Sequence, residues 1–111
     1  MVDFRVRDTI HDHPKMLGIP LAALGLWTYA GAWSAKHLTD GLIPTTAINH
    51  LPNWRRLSTE LEDRHLWEPV NGGWAIVDWD QHQRTRAQVE AERAAGRERL
   101  ARYNARRKTG G

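Results

Sequence analysis

The sequence predicts an α+β fold, and three stretches carry that prediction. Residues Thr45 to Leu51 and Trp54 to His65 have helical spacing and are separated by Pro52-Asn53, which reads as a turn. Trp67 to Val70 and Trp74 to Trp79 read as strands joined by Asn71-Gly72-Gly73, where glycine supplies a positive φ without steric cost. From Arg86 nearly to the end the chain is mostly alanine, glutamate and arginine, all good helix formers. Helix, turn, helix, strand, turn, strand is the order of a winged helix-turn-helix with a small antiparallel sheet, here followed by an extended C-terminal helix. The second helix would be the reader and the hairpin the wing.

A chain of 111 residues supports one small domain, expected over residues 1–84, with residues 85–111 forming a basic C-terminal helix and a disordered tail. Six of the nine aromatic residues are tryptophan, so a few large rings supply much of the buried area. Cysteine is absent, which removes disulfides, thiolate catalysis and cysteine zinc sites, and fits a reducing cytosol; a cytoplasmic protein is expected. The start, MVDFRVRDTIHDHP, has no apolar core of signal-peptide length, and no run approaches the roughly 18 apolar residues of a membrane span. No membrane partner is therefore expected.

In chain order, Phe4-Arg5-Val6-Arg7 alternates apolar with basic and reads as a short strand added to the sheet, with Phe4 and Val6 inward. His11-Asp12-His13-Pro14 makes a turn in which Asp12 bonds to nearby amides, and Lys15 to Gly18 makes one helical turn. Leu21 to His37 is helical and almost without a polar face, the signature of a buried central helix. Gly41 is expected to take the left-handed conformation after it. Thr45 or Thr46 caps the next helix. On the helix after that, Trp54, Leu57 and Leu61 share one side, leaving Arg55, Arg56, Thr59, Glu62 and Asp63 outward. Thr85-Arg86-Ala87-Gln88 is a capping box opening a helix to about Arg107. With only Val89, Leu100 and Tyr103 as bulky apolar residues, that helix is expected to protrude and to fray beyond Ala101, with Lys108 to Gly111 disordered.

The net charge of +3 is unevenly placed: the balance is −2 through Thr85 and +5 from Arg86 onward. Electrostatic attraction by the globule must then come from local placement. Asn53, Arg55, Arg56 and Thr59 open the reader helix, where a helix-turn-helix protein makes its base and phosphate contacts. The two arginines sit at the positive end of the helix dipole, and Glu60, Glu62 and Asp63 nearer the negative end. They are therefore poorly explained as helix stabilisers. The bland reading is two solvated arginines, or one paired with Asp63 or Glu60. Arg97, Arg99, Arg102, Arg106, Arg107 and Lys108 form the densest positive region, suited to phosphate contacts that are salt-sensitive and poor at discriminating sequence; the bland reading is a solubilising tail.

The wing tip carries no lysine or arginine, so the hairpin reads as structural, its three tryptophans divided between the core and an exposed face. His11-Asp12-His13 has no matching ligand spacing elsewhere, and no nucleophile elbow, Walker loop or dinucleotide motif occurs. Neither catalysis nor a cofactor or metal is expected.

The stretches HPK-x-LG-x-P-x-AALGLW from His13 to Trp27, W-x-A-x-HLTDG-x-IP from Trp33 to Pro44 and LW-x-x-x-x-GG-x-x-I-x-DW from Leu66 to Trp79, with the Arg/Glu/Ala-rich tail, resemble small winged-helix proteins of actinobacteria and their phages. These are similar to the amino-terminal domain of DnaD-type phage replisome organisers and replication-initiation proteins. The resemblance covers roughly residues 4–95. It implies a non-enzymatic winged helix that binds DNA or self-associates while replication proteins assemble, and it names no catalytic residue. Two functions are therefore expected: binding of nucleic acid, duplex DNA first, in replication initiation or transcription control; or an interaction module that forms a homodimer or binds a host replication or transcription protein.

Overall fold

The computed structural model describes residues 2–109, and its chain is α+β. Helix α1 (Leu21–His37) leads to strand β1 (Leu42–Pro44), helix α2 (Trp54–Asp63), strands β2 (Trp67–Val70) and β3 (Gly73–Ile76), a short helix α3 (Trp79–His82) and the long helix α4 (Arg86–Thr109). The three strands form one antiparallel sheet in the order β1-β3-β2.

One face of the sheet carries Ile43, Trp67, Trp74 and Ile76, all buried, and packs with Leu26 and Ala30 of α1 and Leu57 and Leu61 of α2 into a single core. The register explains the alternation, because Ile43 pairs with Trp74 and Trp67 with Ile76 on the inward side. Gly73 is required where β1 crosses β3: a Cβ there would collide with the Ile43 carbonyl. Both edge strands carry a proline, Pro44 and Pro69, which limits pairing by further strands.

Several expectations are corrected. Phe4 to Arg7 does not join the sheet. The Gln83 side chain instead supplies both partners a neighbouring strand would, accepting from the Arg5 N–H at 2.8 Å and donating to the Arg5 carbonyl at 2.7 Å. Phe4 packs inward as expected, edge-on to Trp27 and stacked on Trp79, whereas Val6 is 48% exposed. A short 3-10 turn at Ile10–Asp12 precedes Pro14, and Asp12 pairs with His11 rather than with amides. The segment from Val2 to Ile19 is thus a strap laid over the globule.

Helix α1 is not buried all round. Leu21, Ala22, Gly25, Thr28, Tyr29, Ala32 and Lys36 face solvent; Lys36 is the one charge on that side, and the small residues Ala22, Gly25, Thr28 and Ala32 between the larger Leu21 and Tyr29 expose little apolar surface each. Gly31 on the opposite side fits the Phe4 ring, which a Cβ would strike. The helix ends at Leu38, itself left-handed, and Gly41 is left-handed as the sequence indicates.

The helix expected from Thr45 to Leu51 is only a 3-10 turn, Thr45–Ala47, followed by further turns. Thr45 does not cap it; its N–H and hydroxyl both donate to the Gly72 carbonyl, tying the turn to the hairpin tip. The second strand of the hairpin stops at Ile76, since Asp78 turns left-handed and opens α3. Trp67, Trp74 and Trp79 are all buried, so none is left on an exposed face.

The capping box forms: Thr85 N–H donates to Gln88 Oε1 and Gln88 N–H to the Thr85 hydroxyl. The Arg86 N–H donates to Asp40, and Val89 is buried, so the first turn of α4 docks on the globule. Beyond it the helix is continuous to Thr109, past the expected fraying point, and includes Lys108; Gly110 and Gly111 lie outside the described residues. At 24 residues α4 spans roughly 36 Å. The radius of gyration, 18.4 Å, exceeds the ~13 Å of a compact globule this long, which marks α4 as a projection. No helix among the described residues is long and apolar enough to cross a membrane.

Candidate nucleic-acid interface

Helix α2 begins after Pro52-Asn53 because Asn53 is left-handed, with φ 58°, a conformation asparagine tolerates better than most residues. The Asn53 side chain makes no capping bond. Its carbonyl accepts from the Leu57 N–H, and Leu57, Ser58 and Leu61 turn inward. That burial fixes the opposite side, where Arg55, Arg56 and Thr59 are exposed. Leu57 and Leu61 lock the rotation of the helix, so the arginines are presented by packing rather than by their own contacts.

The guanidinium of Arg55 lies 5.1 Å from the ring centroid of Trp54, a cation–π contact that restrains it while the residue stays exposed. Trp54 is in turn set edge-on to the buried Trp74. Thr59 donates its hydroxyl to the Arg55 carbonyl at 3.0 Å, as Ser58 does at 2.9 Å, so the Thr59 hydroxyl reaches a ligand only as an acceptor.

Two of the three acids on this helix are engaged elsewhere. Glu60 accepts from Arg64 Nε at 2.6 Å, and Glu62 accepts from the Trp74 indole N–H at 2.6 Å. Neither Arg55 nor Arg56 has a carboxylate partner among the described residues, which removes the pairing with Glu60 or Asp63 that the sequence leaves open. Asp63 is exposed at the far end of the helix. The helix therefore carries unpaired positive charge at its start, with Glu60 neutralised by Arg64 and Glu62 turned to Trp74 behind it.

Arg64 is a residue that sequence reasoning missed. Besides Glu60, its guanidinium donates to the carbonyls of Lys15, Leu17 and Gly18, bolting the strap to the end of α2. The i,i+4 spacing of Glu60 and Arg64 was a legible signal for the ion pair; the three carbonyls were not.

The six cations of the outer half of α4 are all exposed: Arg97, Arg99, Arg102, Arg106, Arg107 and Lys108. Helical geometry places Arg99, Arg102 and Arg106 on one side, and Arg97 with Lys108 nearly opposite. Arg102 pairs weakly with Glu98 at 3.9 Å. Positive charge distributed around a helix suits phosphates approached from any direction and does not suit a fixed alignment with base edges. At its base, Arg84 pairs with Glu92 and Arg86 with Glu90, so two of the three acids of α4 are spent near the globule and its outer half, with Glu98 alone among six cations, is left basic.

No family model, curated protein or solved structure matches the chain.

Proposed function

We propose that this is a non-enzymatic winged-helix protein of phage or prophage type that binds duplex DNA in the cytoplasm, in replication initiation or transcription control. The element order from α1 to β3 and the sheet order β1-β3-β2 support the winged-helix reading, with α2 as reader and β2–β3 as wing. The observation that carries the functional reading is the pair Arg55 and Arg56, exposed and without carboxylate partners among the described residues at the start of α2 while Glu60 and Glu62 are bonded elsewhere. Asn53 and Thr59 flank them. The basic half of α4 adds phosphate contacts that raise affinity without choosing a sequence. Electrophoretic shifts with duplex and single-stranded DNA at low salt test the reading. A retarded complex that dissolves as salt rises supports it; an unshifted duplex at every protein concentration contradicts it.

A second reading is an interaction module that dimerises or binds a host replication or transcription protein. The outer face of the sheet favours it, because Leu42 and Val70 there are 52% and 40% exposed beside Pro44 and Ala75. Light scattering, with a pull-down after nuclease treatment, separates the two readings: a stoichiometric partner that survives high salt favours the second.

A further inference from the structure

A pocket of about 110 Å³ lies between the strap and the globule, away from α2's arginines. Its apolar walls include Phe4, Trp27 and Trp79. Arg5, Arg7 and Lys15 also line it, against a single carboxylate, Asp78. None of these three cations has a carboxylate partner among the described residues. Arg7 and Lys15 donate only to backbone carbonyls, of Gln81 at 3.3 Å and His65 at 2.9 Å. Trp79 is 6% exposed, and its buried indole N–H has no acceptor among the described residues.

The pocket is preformed. Gln83 holds one end of the strap at Arg5, and Arg64 holds the other at Lys15, Leu17 and Gly18. Apolar walls with a few convergent polar groups are the usual make-up of a small-molecule site. The space is of the order of the ~150 Å³ apolar cavity that accepts benzene. An aromatic ring suits the walls and a negative charge suits the lining.

We propose that this pocket binds a small aromatic monocarboxylate, its ring among Phe4, Trp27 and Trp79 and its carboxylate toward Arg5, Arg7 and Lys15. The site is independent of the DNA-binding reading.

The test is titration of the full chain with benzoate, benzyl alcohol and benzylamine, following the tryptophan indole signals in a proton–nitrogen correlation spectrum. Benzoate is expected to move the Trp27 and Trp79 signals saturably and to bind more tightly than benzyl alcohol, with benzylamine weakest. Arg7→Ala and Lys15→Ala are each expected to weaken benzoate about threefold, the scale of one exposed charge contact. Raising salt on the unaltered chain is expected to weaken benzoate and leave benzyl alcohol unchanged, a readout that does not depend on how the variants fold. No saturable shift with benzoate, equal binding of benzoate and benzylamine, or salt-independent benzoate binding would overturn the proposal.

Discussion

Glu60 stands one turn from two arginines and bonds to only one of them: Arg64 Nε donates to it at 2.6 Å, while Arg56, four residues earlier, is left exposed. The choice follows from helix geometry. A glutamate with its cationic partner four residues C-terminal is the favoured orientation, in line with the helix dipole. Arg64 is also held by three carbonyls of the strap, so it is already in place. The ion pair thus anchors the strap and keeps a carboxylate away from the cations at the start of α2.

Replacing Arg64 with Ala should have two effects. Loss of its charge-assisted bonds, partly screened at 21% side-chain exposure, is expected to cost about 2 kcal/mol in urea denaturation. Glu60 then becomes available to Arg56, so DNA affinity should fall although Arg64 itself is not at the interface. Glu60→Gln separates the effects, because it should lower stability less and leave DNA affinity unchanged or raised.

Gly31→Ala tests how the strap is seated. Alanine gains about 1 kcal/mol over glycine in a helix, but its Cβ would strike the Phe4 ring. Global stability should therefore change little, while the strap loosens. Amide exchange at Arg5, whose N–H is held by Gln83, is expected to accelerate selectively.

Gly73→Ala should be far more costly than Gly31→Ala, since the obstacle is the Ile43 backbone carbonyl and not the end of a side chain. Separating β1 from β3 is expected to cost at least about 2 kcal/mol by chemical denaturation, the scale of overpacking in a core.

Changing Arg97, Arg99, Arg102, Arg106, Arg107 and Lys108 together to Gln should leave the thermal midpoint nearly unchanged. All six are exposed and lie beyond Val89, the last buried residue among those described. If these cations touch phosphates, DNA affinity falls and the slope of log affinity against log salt shrinks by at most about 5. Isothermal titration over a salt series measures it.

Much of the secondary structure was legible because it is written in local chemistry. Thr85 and Gln88 announced their capping box, Asn71-Gly72-Gly73 the hairpin, and the spacing of Leu57 and Leu61 the inward side of α2, hence the exposure of Arg55 and Arg56. What was not legible depends on partners distant in sequence. Phe4 to Arg7 has the alternation of a strand, but its hydrogen bonds go to the side chain of Gln83, 78 positions away from Arg5. Thr45 has the chemistry of a cap, but Gly72 takes both its donors. The exposed side of α1 was hidden because alanine, glycine and threonine fit a core or a surface equally well. The candidate site was half legible: its cations and the Glu60–Arg64 spacing could be named, whereas the three strap carbonyls that hold Arg64 and the tie of Glu62 to Trp74 needed the fold.

The most direct measurement of the central claim is DNA affinity of the double variant Arg55→Ala, Arg56→Ala by fluorescence anisotropy, beside the unaltered chain, over a salt series. Both side chains are exposed, so the fold should persist. Affinity is expected to fall at least about tenfold at low salt, with the salt slope reduced by about 2. Unchanged affinity and slope in a folded double variant would contradict α2 as the DNA-binding element.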